Sequence, residues 1–128
     1  DMADHDNTYK ILFSHHQMVE DLLRGFVKEP WIEKLDFTTL EKMSGSYVSE
    51  DLRDRHDDII WRVKYGDGFL YVYILLEFQS KSDKFMAVRI MTYLGLLYQD
   101  LIKAKSFTPS KKLPPVLPIV PHCHRRGL

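Results

Sequence analysis

The stretch "DIIWRVKYGDGFLYVYILLEF", residues 58–78, constrains the fold more than any other part of the chain. Two runs rich in β-branched and aromatic residues bracket "YGDG", and that arrangement predicts a β-hairpin. If Asp67 and Gly68 form a two-residue type I′ turn, Gly66 faces Phe69. The same register pairs Val63 with Val72, Trp61 with Ile74, Ile59 with Leu76 and Asp58 with Glu77. One face of the ribbon is then wholly apolar. Tyr71, Tyr73, Leu75, Glu77 and Gln79 share the other, because side chains alternate along a strand.

What flanks the hairpin decides the sheet around it. Residues 83–105 predict a long helix, with Met86, Ile90, Tyr93, Leu94, Leu97 and Leu101 as its apolar stripe. "PPVLPIV" at 114–120 reads as a buried strand. A strand, a crossover helix and a further strand make a βαβ unit, so the last strand should lie parallel to the one before the helix. Upstream, Tyr9, Leu12, Phe13, Met18, Leu22, Leu23 and Phe26 predict two short helices between residues 7 and 27, Ser14 and Gln17 forming a capping box for the second. Glu29-Pro30 ends that helix. Between 31 and 50 the pattern is weaker, with a short edge strand expected near Tyr47 and Val48. The expected order is ααβββαβ, an α/β fold with a mixed sheet flanked by helices.

A chain of 128 residues with 45% apolar and 28% charged residues can bury one core and should be globular and soluble. No apolar run is long enough for a membrane span, and the start does not read as a signal peptide. A lone cysteine, Cys123, suits a reducing compartment, so a cytoplasmic location is expected. Net charge is zero yet divided. Residues 1–58 hold 14 acids and 7 Lys/Arg, whereas residues 59–128 hold 4 acids and 11 Lys/Arg. The basic half could face a polyanion, or the halves could neutralise each other on packing.

The hairpin register makes the acids informative. Directly opposed Cβ atoms lie ~4.5–5.5 Å apart, and two carboxylates at that distance repel unless a proton or a cation sits between them. Oxygen ligands on strands suit magnesium, with water or substrate phosphate completing the octahedron. Asp58, Glu77 and the amide of Gln79 therefore form a candidate site for metal-assisted hydrolysis. The bland alternative is a pair of exposed acids at strand ends. Asp57 is set aside, since alternation turns it toward the apolar side or out to solvent.

Asp58 followed nineteen residues later by Glu77-Phe78-Gln79 resembles the PD-(D/E)XK nuclease superfamily. Five blocks in order, "HDNTYKILFS", "RHDDIIWRV", "VYILLEFQS", "MAVRIMTYLGLLY" and "LPPVLPIV", resemble the recombination-promoting nuclease (Rpn) family, also described as YhgA-like transposases, over nearly the whole chain. The resemblance implies a restriction-endonuclease-like core and magnesium-dependent DNA cleavage, manganese being a possible substitute. It makes Asp58 and Glu77 metal ligands, together with the backbone carbonyl of Phe78. Gln79 stands where many such enzymes have lysine; an amide can orient a water or a phosphate oxygen but cannot serve as a tuned acid. Arg89 and Tyr93, one helical turn apart, would reach back to the site, Arg89 toward a scissile phosphate. Otherwise they are a snorkelling arginine and a core tyrosine. Lys10 and Asp6 could contribute from the first helix, although a solvated lysine and a helix cap explain them equally well.

DNA is the expected partner, with Lys81, Lys84, Arg89, Lys103 and Lys105 neutralising phosphates in a sequence-tolerant way. No membrane partner and no small-molecule cofactor are expected. "HCH" at 122–124 lacks the further ligands of a structural zinc. Family members continue differently after "PIV", so residues 1–120 are expected to form the nuclease-like domain and 121–128 an atypical tail of a shortened form. An apolar face left open would favour a homodimer, and a double-strand break would need two sites. The competing expectation is a weak or inactive core that binds DNA or pairs with a longer relative.

Overall fold

The computed structural model describes residues 9–43, 58–76 and 84–121. A helical turn at residues 9–12 precedes helix α1 (His16–Phe26) and a 3-10 turn (Pro30–Lys34). Strands β1 (Leu35–Lys42), β2 (Asp58–Tyr65) and β3 (Gly68–Leu75) follow, then helix α2 (Met86–Lys103) and strand β4 (Val116–Ile119). The four strands form one sheet in the order β1-β2-β3-β4. β1 and β3 pair with β2 in antiparallel fashion, and β4 pairs with β3 in parallel. The α/β class, the ααβββαβ order and the mixed sheet are those expected from the sequence. Among the described residues no helix is long and apolar enough to cross a membrane.

The hairpin keeps its faces but not its expected register. Tyr65 pairs with Gly68, so Gly66 and Asp67 are the turn, and Asp58 lies opposite Leu75 rather than Glu77. Gly66 has φ 63°, whereas Asp67 needs no positive φ. That is the pattern of a type II′ turn, which asks for glycine at its first central position. "YGDG" contains a glycine for either turn, and local sequence cannot choose between them. The shift moves pairing by two residues, so parity survives and Ile59, Trp61 and Val63 still share a face with Leu70, Val72 and Ile74.

Each face of the sheet carries its own helical layer. On one side Phe13, Val19, Leu23 and Ile32 pack on Leu35, Phe37, Leu40, Trp61, Val72 and Ile74. Buried Trp61 ties this layer down, its indole Nε1–H donating to the Phe13 carbonyl at 3.0 Å. On the other side α2 lays Met86, Ile90, Tyr93, Leu94, Leu97 and Leu101 over Ile60, Tyr71, Tyr73 and Leu75. That is the stripe read from the sequence. Pro118 lies in β4, at the end of the strand order, where a missing N–H is tolerated.

Two local expectations need correction, and one strand lies where the sequence placed none. Strand β1 lies at Leu35–Lys42, within the span where the sequence pattern is weak. Its buried positions, Leu35, Phe37 and Leu40, follow no strand period because the register with β2 shifts between Asp36 and Glu41. Asp36 holds that irregularity: its Oδ1 accepts from the Thr38 amide at 3.1 Å and hydroxyl at 2.5 Å. Tyr47 and Val48 lie outside the described residues. Ser14 does not cap α1; His15 occupies the cap without a side-chain bond, and the Ser14 hydroxyl donates to the Lys10 carbonyl at 2.6 Å. Phe26, expected on the apolar face, is exposed, and Val19 is buried beside Leu23.

Helix α2 ends in a Schellman motif, with the Ser106 amide bonded to the Leu101 carbonyl and the Lys105 amide to that of Ile102. Lys105 occupies the left-handed position at φ 55°, where glycine carries no Cβ penalty. Lys105→Gly should therefore stabilise the fold by about 0.5–1 kcal/mol. A urea midpoint that stays put or falls would refute this.

Candidate active site at the carboxyl end of the third strand

Asp58 opens β2 and points to the α2 side of the sheet, the side occupied by Ile60 and Arg62 rather than by Ile59 and Trp61. Because it lies opposite Leu75, its diagonal neighbour is Tyr73. The Tyr73 hydroxyl donates to Asp58 Oδ2 at 2.5 Å. Asp58 is half-buried, its Oδ1 is shut off from solvent, and Tyr73 itself is only 2% exposed. A carboxylate with one oxygen fixed and the other buried is costly as a plain surface charge. It is a suitable hard-oxygen donor for a divalent ion, its orientation set by a hydrogen-bonding neighbour.

The crossover brings α2 to the same place. β3 and β4 are parallel, so the helix between them runs back against them. Leu97, Asp100 and Leu101 line one small cavity with Met43, Ile60 and Tyr71, which sets the carboxyl-terminal half of α2 beside the middle of the strands. The amino-terminal half, with Arg89 and Tyr93, is thereby directed toward the end of β3 where Asp58 sits. Tyr93 packs in the cluster that contains Tyr73 and Leu75, and Arg89 is half-buried beside it. Lys84 stands exposed just before α2, its ammonium 5.5 Å from the Phe85 ring centroid.

Asp58, Arg89 and Tyr93 thus belong to one face and one end of the sheet, with Lys84 before the same helix. Lys10 belongs to the helical layer on the opposite face, near Ser14 and Phe13. Lys103 and Lys105 lie at the far end of α2. Glu77, Phe78, Gln79, Lys81, Asp6, Asp57 and His122–His124 lie outside the described residues, as does most of the 121–128 tail. Among the described residues no group of three or more His, Cys, Asp or Glu side chains is placed to hold a metal. Tyr73 is the residue that sequence reasoning missed. It shares the face of Glu77 and Gln79, but in the expected register it is four residues from the position facing Asp58. The two-residue shift makes it a diagonal neighbour.

Known proteins place the chain among relatives. The model of the family described as "Putative transposase, YhgA-like" matches residues 3–126. The chain belongs to this family. It is 34% identical to "Recombination-promoting nuclease RpnD" of Escherichia coli O157:H7 and 33% identical to "Recombination-promoting nuclease RpnA" of Escherichia coli strain K12, in each case over 91% of the chain. These alignments cover 44% and 38% of the two nucleases, so the chain spans less than half their length. It is also 36% identical, over 70% of its length, to "Putative inactive recombination-promoting nuclease-like protein YjiP" of strain K12, 86% of which is covered. No solved structure matches the chain.

Proposed function

We propose that residues 1–120 are the core of a divalent-metal-dependent DNA endonuclease. The observation that carries this reading is the Tyr73-braced Asp58, at the end of the sheet toward which Arg89 and Tyr93 are directed, in a family whose relatives include named nucleases. The four-stranded mixed sheet between helical layers is compatible with a restriction-endonuclease-like core.

Asp58 and Glu77, with the Phe78 carbonyl, would hold magnesium, and manganese could replace it. Such an ion lowers the pKa of a water and offsets charge on the phosphodiester. The protein's own groups do the rest. Tyr73 keeps Asp58 Oδ2 in one orientation, and Gln79 orients a water or a phosphate oxygen by hydrogen bonds. Arg89 grips a phosphate through its planar fork, with Tyr93 packed beside it. Lys81 and Lys84 neutralise flanking phosphates without reading sequence. Two copies acting together would cut both strands, and the single cysteine suits a reducing cytoplasm.

One observation favours a second reading. A relative as similar as YjiP is named inactive, and this chain carries Gln79 where the superfamily often has lysine. On that reading the core binds DNA or a longer relative without turning it over. Supercoiled plasmid separates the two: the nuclease nicks it with magnesium or manganese and not with chelator, and Glu77→Gln removes both nicking and most calorimetric manganese binding. A folded chain that leaves plasmid intact with either metal supports the binder instead.

A further inference from the structure

The end of α2 and the loop that joins it to β4 carry an uncommon concentration of charge. Lys103, Lys105, Lys111 and Lys112 fall within ten residues that contain no acid, and all four are exposed. Arg24 pairs with Glu20 and Glu33, and Arg62 with Glu41. Among the described residues none of the four exposed lysine side chains is paired with a carboxylate.

The backbone adds an independent observation. Lys105 and Lys111 are the non-glycine residues with positive φ among those described, at 55° and 64°. Each sits where glycine or asparagine would be the conformationally easy choice. Lys105 closes the Schellman motif, and Lys111 closes a tight turn in which its amide bonds to the Thr108 carbonyl at 2.8 Å. Lysine at a left-handed position costs roughly 1 kcal/mol relative to glycine. Both placements fall in one loop, and both side chains are exposed, so neither lysine is held there by burial.

The loop is also anchored. The position that a Cβ on Gly68 would take is 3.7 Å from Pro109 Cδ, so the lysine turn rests on the start of β3, at the β2–β3 turn. Lys64, exposed on β2, is near the same turn. Phe107 lies in the same loop, 43% exposed, and offers an aromatic surface among the cations.

We infer that this loop is a second nucleic-acid-binding surface, which takes the phosphate backbone of duplex DNA at the end of the sheet opposite Asp58. The inference rests on the proposed DNA substrate and adds to it a place on the molecule. From Arg89 to Lys103 is fourteen residues of helix, about 21 Å along its axis. That span matches roughly six base pairs at 3.4 Å each. A duplex cut at the Asp58 end would thus be held again about half a turn away, by electrostatic attraction indifferent to sequence.

The test uses the whole chain with Lys105→Gly and Lys111→Gly, which relieve backbone strain, combined with Lys103→Gln and Lys112→Gln. Anisotropy with a labelled 30-base-pair duplex is followed in chelator across a salt series. The slope of log affinity against log salt should become shallower by about 0.9 for each phosphate that is no longer neutralised. Affinity near 0.1 M salt should fall at least about tenfold, with thermal stability kept or raised. Unchanged affinity and slope overturn the inference, even where the wild type nicks plasmid. So does wild-type binding to anionic vesicles but not to DNA. A shallower slope in the variant of a chain that never cleaves keeps this surface and removes the nuclease reading.

Discussion

Asp58→Ala should reduce plasmid nicking by at least about a hundredfold while leaving the far-ultraviolet spectrum and the urea midpoint close to wild type. The magnitude follows from the role. Changing a group that only orients a metal ligand typically costs 10–100-fold in affinity or activity, and removing the ligand should cost more. Tyr73→Phe supplies the graded comparison, because it keeps the ring in its buried place and deletes only the hydroxyl bonded to Asp58 Oδ2. It should lose about 10–100-fold, largely recovered by raising the manganese concentration. If Asp58→Ala nicks as well as wild type, the acid at the start of β2 is a structural charge and the proposed chemistry has lost its centre. If Tyr73→Phe loses as much as Asp58→Ala and added metal restores nothing, the tyrosine is not acting by orienting a ligand.

The second large effect belongs to the core. Ile74→Ala should destabilise the fold by about 2–5 kcal/mol, the usual range for deleting a buried branched side chain where neighbours cannot collapse. Ile74 is fully buried on β3, between Ile59 of β2 on one side and Ile119 of β4 on the other. A cavity there loosens three strands at once, with rigid backbone on both flanks. Met91→Ala on the outer surface of α2, where Met91 is 72% exposed, should stay within about 0.5 kcal/mol. Equal urea midpoints for the two variants would mean that the sheet interior is not packed as described.

The elements that sequence revealed are those in which local chemistry and long-range packing ask for the same thing. The α2 stripe from Met86 to Leu101 follows one helical face and meets one sheet face, so its period already states what it buries. The hairpin runs alternate for the same reason, and a shift by two residues preserves the alternation. β1 was illegible because its irregularity, held by Asp36 and Thr38, breaks the period of two. Ser14 looks like a helix cap in sequence, but its hydroxyl bonds back to the Lys10 carbonyl.

By itself the sequence determined the class of every element in the hairpin and crossover, the parallel pairing of the last strand, and membership of a family whose relatives include named nucleases. Those properties rest on side-chain periodicity and on family blocks, which are local and survive small slips. Tertiary structure alone decided that Asp58 faces Leu75 and takes its hydrogen bond from Tyr73, and that the lysine loop rests at the hairpin end of the sheet. The two glycines of "YGDG" permit either turn, so packing of the whole sheet had to choose the pairing.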